Sequence, residues 1–171
     1  MIQKQPWLER VFPFDLPVSM FPNVLERLRG TPARLEDRLR DVPPARLVAH
    51  VGKAWSVQET TGHLVLVEQL WEGRLEDFLA GAAILRAAAY DAGRVPAARF
   101  DERPIAEILQ AFRDARARHV RRLEGLTGAE VQRTAMHPRL NRSVNVLDMM
   151  VFAAEHDDHH LAGITETLAR G

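Results

Sequence analysis

The chain has 171 residues and carries 23 lysines and arginines against 23 aspartates and glutamates, so its formal net charge is zero. This balance argues against nucleic acid as the main partner, because phosphate binding requires a basic field. The sequence contains no cysteine, which excludes disulfides, cysteine-ligated zinc sites and cysteine nucleophiles. The length suits one hydrophobic core, and we predict a single domain over residues 1–171.

The N-terminal segment, residues 1–21, combines three prolines with four aromatic residues. This composition predicts an irregular arm that packs its rings on a neighbouring element. The segment lacks the continuous apolar core of a signal peptide, and no part of the chain approaches the roughly 20 apolar residues of a membrane span. We therefore expect a cytoplasmic protein that does not contact a membrane.

The next segment predicts two short helices in succession. Pro22 and Gly30 mark the beginning and end of the first. Thr31-Pro32 then has the pattern of an N-cap followed by proline at the first helical position, which predicts a new helix. Pro43-Pro44 ends that helix.

A capping-box pattern at Ser56-Val57-Gln58-Glu59 predicts the start of helix two, since Ser56 and Glu59 can each satisfy an orphan amide of the other. Apolar residues then recur at helical spacing as far as Ala80, and His63 lies on the same stripe. Residues 82–103 are rich in alanine and include a glycine and a proline. They predict a long crossover connection with about one helical turn.

Pro104 predicts the start of a third helix, and the last helix is expected from about Asn145 to Leu168, after a turn at residues 136–141. No segment shows the alternating pattern of a β-strand. The predicted fold class is therefore all-α: a four-helix bundle with a long crossover connection after helix two.

The run from Glu155 to His160 inside the last helix contains the clearest chemical signal. His156 and His160 are four residues apart, so they lie one turn apart on the same helix face, with Cβ atoms roughly 5–6 Å apart. Two imidazoles so placed can bind one cation, to which zinc–nitrogen bonds measure about 2.0–2.1 Å. Two ligands rarely hold a metal, so a third is needed.

His63 is the candidate for the third ligand. It lies on the inner face of helix two, as His156 and His160 do on the last helix, and a buried imidazole without a partner is costly. Three inward-facing histidines from two helices favour a metal site. The alternative is a metal-free core in which the histidines bond to one another and to the backbone.

Four further residues of the last helix lie next to these histidines in the sequence. His159 is offset from His156 by about 60°, which makes it a competing ligand or a residue that supports the ligands. Asp157 and Asp158 turn away from the inner face and are expected on the helix surface. Glu155 is expected to pair with an arginine of a neighbouring helix or to accept a hydrogen bond from a ligand imidazole.

The remaining histidines are expected to have structural or surface positions. We expect His50 to be exposed in a loop, His119 to be packed or hydrogen-bonded inside the third helix, and His137 either to be structural or to edge a pocket. Five arginines of the third helix predict a solvated face: Arg113, Arg116, Arg118, Arg121 and Arg122.

Several of these residues resemble the motifs of a known family. Trp55-Ser56-Val57-Gln58-Glu59, with Gly62-His63-Leu64 and Glu68, resembles the second-helix signature of the DinB/YfiT-like superfamily, and residues 154–164 resemble its closing motif. The resemblance spans roughly residues 24–168. Further matching positions are Tyr90-Asp91, Arg116 and His137-Pro138.

The sequence departs from the family pattern at Arg139-Leu140-Asn141-Arg142, where a glycine turn is usual, so the rim of the pocket is expected to differ. The resemblance implies a four-helix bundle and a divalent metal, zinc or nickel, held by His63, His156 and His160. Members of the family include transferases and isomerases that use low-molecular-weight thiols, and proteins described as hydrolases. Dimers are common among them, which implies a homodimer here.

A metal held by three neutral histidines keeps positions open for water or substrate, as catalytic sites do, whereas structural zinc sites are closed by four protein ligands. We therefore expect a metal-dependent enzyme with a small-molecule substrate, either a thiol S-transferase or a hydrolase. A transferase would need an external thiol as cosubstrate, because the chain has none. Candidate catalytic residues are Glu59, Asp91, Arg116 and Glu155.

The alternative function is a non-enzymatic metal-binding bundle that acts as a sensor, carrier or dimerisation module. A fourth protein ligand, His159 or His119, would close the metal shell and favour this alternative.

Overall fold

A computed structural model describes residues 4–88 and 93–170. Four long helices form the bundle: α1 (Phe21–Leu39), α2 (Val57–Leu79), α3 (Ile105–Glu124) and α4 (Val146–Arg170). The all-α four-helix prediction is confirmed. Two short strands, β1 (Thr134–His137) and β2 (Arg142–Asn145), precede α4. Short helical turns occupy Trp7–Glu9, Val18–Met20, Pro44–Leu47, Arg94–Ala97, Phe100–Glu102 and Gly128–Val131.

The order of the helices around the bundle differs from their order in the chain. Helix α1 packs against α3 and α4, and α2 packs against the same two helices. Consecutive helices α1 and α2 therefore lie diagonally opposite each other. The predicted long connection after helix two spans residues 80–104. Within the described ranges, no helix is long and apolar enough to cross a membrane.

The prediction of two short helices before residue 43 is wrong, because α1 continues through Gly30 and Pro32. Proline inside a helix leaves the carbonyl four residues earlier without its usual donor, at a cost of about 3 kcal/mol or more. Here that carbonyl belongs to Leu28, and it accepts a hydrogen bond from Arg116 Nη1 at 3.0 Å. Thr31 does not cap a helix; its hydroxyl donates to Asp157 at 2.9 Å.

Helix two begins as predicted. The Glu59 amide donates to Ser56 Oγ at 2.9 Å, and the Ser56 amide donates to Glu59 Oε2 at 3.1 Å, which completes the capping box. One turn later, Gly62 lies against the ring of Phe100, and a Cβ atom at this position would come within 2.3 Å of that ring. Glycine is therefore required for the long connection to approach α2 beside His63.

The expectation of no strand is also wrong, since β1 and β2 form an antiparallel hairpin that pairs Thr134 with Asn145 and His137 with Arg142. Each strand has only four residues, too few for an alternating pattern to be recognised. The connection after α2 supports the hairpin, since the Met136 amide donates to the Ala83 carbonyl at 2.9 Å. The predicted turn lies between the two strands.

The N-terminal arm is irregular apart from its two short turns, and its aromatic residues pack as predicted. The ring centroid of Trp7 lies 5.0 Å from that of Phe152 in α4, and the centroid of Phe12 lies 4.7 Å from it. Helix α4 begins at the predicted boundary, where the Asp148 amide donates to Asn145 Oδ1 at 2.8 Å. Residues 1–3 of the arm lie outside the described residues.

His119 is packed inside the bundle, as expected, and is 1% exposed. Neither of its ring nitrogens forms a hydrogen bond with any residue that the structure describes. Burial lowers the pKa of His119 to about 3. Between the ordinary pKa of about 6.5 and this value, the unfolded chain binds a proton at this position that the folded chain does not. His119 therefore lowers the stability of the protein as the pH falls from about 6.5 to about 3.

We expect His119→Leu to raise the free energy of unfolding by about 1 kcal/mol at pH 7, because it removes an unpartnered polar group from the core. The advantage should grow below pH 6.5, by up to about 1.4 kcal/mol per pH unit. Urea unfolding at pH 7, 5.5 and 4, with a chelator present, measures both effects. A constant difference between variant and wild type across these pH values would contradict the assignment.

Candidate metal centre

Three histidines from two helices meet at one point. His63 comes from α2, and His156 and His160 come from consecutive turns of α4. His156 Nε2 lies 3.2 Å from His63 Nε2 and 3.2 Å from His160 Nε2. One nitrogen from each ring lies within 4.8 Å of the other two. The structure thus brings together the three residues that sequence reasoning named as candidate ligands.

Aromatic rings hold the three imidazoles in place. The ring centroid of His63 is 5.1 Å from that of Trp55, at the end of the segment that leads into α2. His156 lies between Trp71 of α2 and Trp7 of the N-terminal arm, at 5.5 and 5.3 Å. The N-terminal arm therefore reaches the histidine cluster through Trp7.

The spacing and protonation of these histidines fit a divalent metal. Nitrogens bonded to a tetrahedral ion at about 2.0–2.1 Å are about 3.3 Å apart, close to the 3.2 Å separations observed. Burial lowers the pKa of His63 to about 4, and burial with the neighbouring imidazoles holds the pKa values of His156 and His160 well below 6.5. Neutral imidazole is the form that binds metal.

A pocket of about 560 Å³ adjoins the three histidines. Its walls come from α2, α4, the N-terminal arm, the connection after α2 and the β1–β2 turn. Most of the lining is apolar or aromatic, which suits a small organic ligand. Within residues 4–88 and 93–170, no aspartate or glutamate belongs to this lining.

The predicted supporting histidines have separate positions. His159 lines the pocket with its ring centroid 5.5 Å from that of His160, but it does not belong to the cluster of three. His137 is buried at the end of β1 and accepts a hydrogen bond from Arg74 Nη1 at 3.0 Å. It also lines the pocket, so both of its predicted roles apply.

Glu59 lies outside the pocket lining and completes the capping box of α2. Together with His50 and Asp101 it forms a second group of potential metal-binding atoms. His50 is exposed, as expected, and its Nε2 lies 2.9 Å from Asp101 Oδ2, while Ser56 Oγ donates to the same carboxylate. Hydrogen bonds within the protein thus account for this group.

Glu155 takes the first of its two expected roles. It forms ion pairs with Arg27 of α1 at 2.5 Å and with Arg10 of the arm at 3.1 Å. No group in the described part of the chain hydrogen-bonds to His156 Nδ1, so Glu155 does not orient this imidazole. Asp91, the remaining candidate from the sequence, lies outside the described residues, as does Tyr90.

Two expectations about charged residues are wrong. Arg116 is not part of a solvated face but is 2% exposed, and Asp157 is fully buried at 0% rather than on the helix surface. Arg116 donates to Asp157 Oδ2 at 2.6 Å and to Glu68 Oε1 at 2.5 Å. Because it also donates to the Leu28 carbonyl, its guanidinium joins all four helices. Arg116 therefore supports the site without lining the pocket.

Asp158, which was also expected on the helix surface, is partly exposed. It pairs with Arg27 and with Arg34 of α1. Sequence reasoning gave no role to Trp7 or Arg74 in the pocket. The aromatic residues of the arm were a signal for Trp7, and no sequence signal indicated Arg74. Arg139 lies in the segment that was expected to alter the pocket rim, and it lines the pocket.

A family model described as the DinB superfamily matches residues 27–164. The chain belongs to the DinB superfamily. Among solved structures, this DinB-superfamily chain is similar to YfiT from Bacillus subtilis, described as a probable metal-dependent hydrolase with an unusual four-helix bundle topology. The TM-score is 0.79 at 19% sequence identity, over 95% of this chain and 93% of that one. No match was found among curated proteins.

Proposed function

We propose that this DinB-superfamily chain is a divalent-metal-dependent enzyme that acts on a small molecule, with His63, His156 and His160 as the metal ligands. The observation that carries the proposal is the convergence of three Nε2 atoms beside a pocket. When bound, a divalent metal with three protein ligands supplies Lewis-acid activation of water or of a substrate carbonyl at its open positions. Zinc and nickel both suit a set of imidazole ligands.

The pocket favours an enzyme over a structural or carrier protein. A closed structural site has a fourth protein ligand. In the ranges that the structure describes, no fourth histidine, aspartate or glutamate joins the cluster. The cavity of about 560 Å³ beside the histidines has the size of a small-ligand site.

Within this proposal, we favour hydrolysis, with YfiT's description as a probable metal-dependent hydrolase as support. Thiol S-transfer is the second candidate. It would require an external low-molecular-weight thiol, since the chain has no cysteine. The two activities separate in one assay, because only the transferase consumes the thiol together with an electrophilic substrate.

Metal content by mass spectrometry tests the ligand assignment on protein purified without a histidine tag or chelator. We expect about one divalent ion per chain in the wild type and none in His63→Ala, His156→Ala or His160→Ala, because two imidazoles rarely hold a metal. His50→Ala is the matched control and should keep its metal, since His50 lies in the separate cluster with Asp101.

Two outcomes would count against the proposal. Unchanged metal content in any of the three ligand variants would refute that ligand. If the wild type lacks metal and takes up none on reconstitution, the histidines form a metal-free core instead. For metal-loaded protein, a panel of small esters and amides, with and without an added thiol, then tests for hydrolysis and transfer.

A further inference from the structure

The pocket contains hydrogen-bond donors that lack acceptors. Two buried side-chain nitrogens that can only donate, Arg139 Nη1 and Trp71 Nε1, have no hydrogen-bond partner in the parts of the chain that the structure describes, and both residues line the pocket. Nδ1 of His159, which donates or accepts according to its tautomer, is a third unpartnered nitrogen of the lining. Leaving a buried polar group unpaired is costly, more so for a charged one. Their common location therefore points to a ligand that brings acceptors.

Arg139 is the strongest of these donors. It follows Pro138 in the β1–β2 turn, and its guanidinium lies 5.4 Å from the ring centroid of Trp7 and 5.2 Å from that of Phe152. The two rings hold the cation in place through cation–π contacts. The fully buried guanidinium of Arg116 has two carboxylate partners. Arg139 has none among the described residues.

The surroundings of Arg139 select for a negative charge. No carboxylate belongs to the described pocket lining, which also contains Arg94. A planar guanidinium held against two neighbouring rings matches the planar, two-oxygen geometry of a carboxylate. Trp71 lies beside the same Phe152 ring, at 6.0 Å between centroids, and its indole N–H can only donate.

The position of Arg139 relative to the histidines limits the size of the ligand. The Arg139 guanidinium and the His156 ring both contact the Trp7 ring, at 5.4 and 5.3 Å. A small molecule with an apolar body can therefore place an anionic end at Arg139 while its other end lies beside the three histidines.

We propose that Arg139 forms a carboxylate-binding subsite and that the substrates of this chain are small apolar or aromatic carboxylates. The inference deepens the proposed function, since the subsite belongs to the same pocket. Arg139 binds and orients the substrate through its carboxylate, and the aromatic walls hold the apolar body. The reacting group then faces the histidine cluster.

Intrinsic fluorescence can measure the subsite directly, because all three tryptophans of the chain line the pocket. The probes are 4-phenylbutyrate and its neutral analogue 4-phenylbutyramide, which have nearly the same shape. We expect the wild type to bind the carboxylate about 10- to 100-fold more tightly than the amide, as is typical of a hydrogen bond to a charged group. Equal affinities, or a preference for inorganic phosphate, would overturn the proposal.

The matched variants are Arg139→Gln and Arg142→Gln in the same hairpin. Arg142 stacks on Phe14 and pairs with Asp15 at the surface, outside the pocket lining. Arg139→Gln should reduce the preference for the carboxylate to less than about 3-fold, and Arg142→Gln should preserve it. If Arg139→Gln unfolds, Arg139→Lys keeps the charge without the planar fork and should give an intermediate preference. Full preference in a folded Arg139 variant would refute the subsite.

A carboxylate can also bind a metal, so the same titrations are made with His160→Ala. If this variant keeps the preference for the carboxylate, the subsite is separate from the metal; if the preference disappears with the metal, the carboxylate is a metal ligand and the proposal fails. The metal content of each protein is measured separately by mass spectrometry. A chain without metal that still prefers the carboxylate through Arg139 would contradict the proposed function and leave the subsite intact.

Discussion

Replacing Arg116 by methionine should lower the free energy of unfolding by about 3–5 kcal/mol. Arg116, Glu68 and Asp157 are all at most 2% exposed, and their ion pairs measure 2.5 and 2.6 Å. Removing the guanidinium leaves two carboxylates buried without a counterion, and it takes away the donor to the Leu28 carbonyl, which Pro32 cannot replace. The loss extends to all four helices, because the network joins them.

Urea unfolding of Arg116→Met measures this loss. Arg113→Met is the matched control, since Arg113 lies one turn earlier on α3 and forms an exposed ion pair with Glu36. Its effect should stay below about 1 kcal/mol. Converting Glu68 and Asp157 to leucine in the Arg116→Met background should recover much of the stability, because no charge is then buried unpaired. An Arg116→Met protein as stable as the wild type would show that the network contributes little.

His156→Leu should make the metal-free protein more stable by about 1–2 kcal/mol, although it destroys the proposed metal site. His156 is 7% exposed, and its Nδ1 has no hydrogen-bond partner within the described ranges. Its neighbours are the imidazoles of His63 and His160 and two indole rings. Leucine fills a similar volume without a polar atom. Functional sites often carry such a cost in stability.

The same variant should lose all stabilisation by metal. A metal at 100 times its dissociation constant should raise the free energy of unfolding of the wild type by about 2.7 kcal/mol and that of His156→Leu by nothing. Thermal unfolding with chelator and with added zinc or nickel measures the stabilisation by metal in both the wild type and His156→Leu. If metal stabilises the two proteins equally, it binds elsewhere. If His156→Leu is less stable than the wild type in chelator, the histidine cluster is itself a favourable part of the core.

The helices with strong local signals could be predicted from the sequence. The capping box at Ser56 and Glu59 located the start of α2, and helical periodicity placed His63, His156 and His160 on inward faces. The prediction was wrong for α1, because Gly30 and Pro32 indicated an interruption of the helix. Tertiary contacts, such as the hydrogen bond from Arg116 to the Leu28 carbonyl, keep this helix continuous. The single domain, homodimer and cytoplasmic location inferred from the sequence stay predictions.

The sequence alone determined the spacing of the histidines along two helices, because the positions of residues four apart follow from the geometry of a single helix. Only the tertiary structure decided which residues of other elements pack against those helix faces. Asp157 is buried because Arg116 and Thr31 reach it from two other helices, and Arg139 enters the pocket because the hairpin turn places it beside the rings of Trp7 and Phe152. These partners are distant in the chain, and helix periodicity carries no information about groups that approach from other elements.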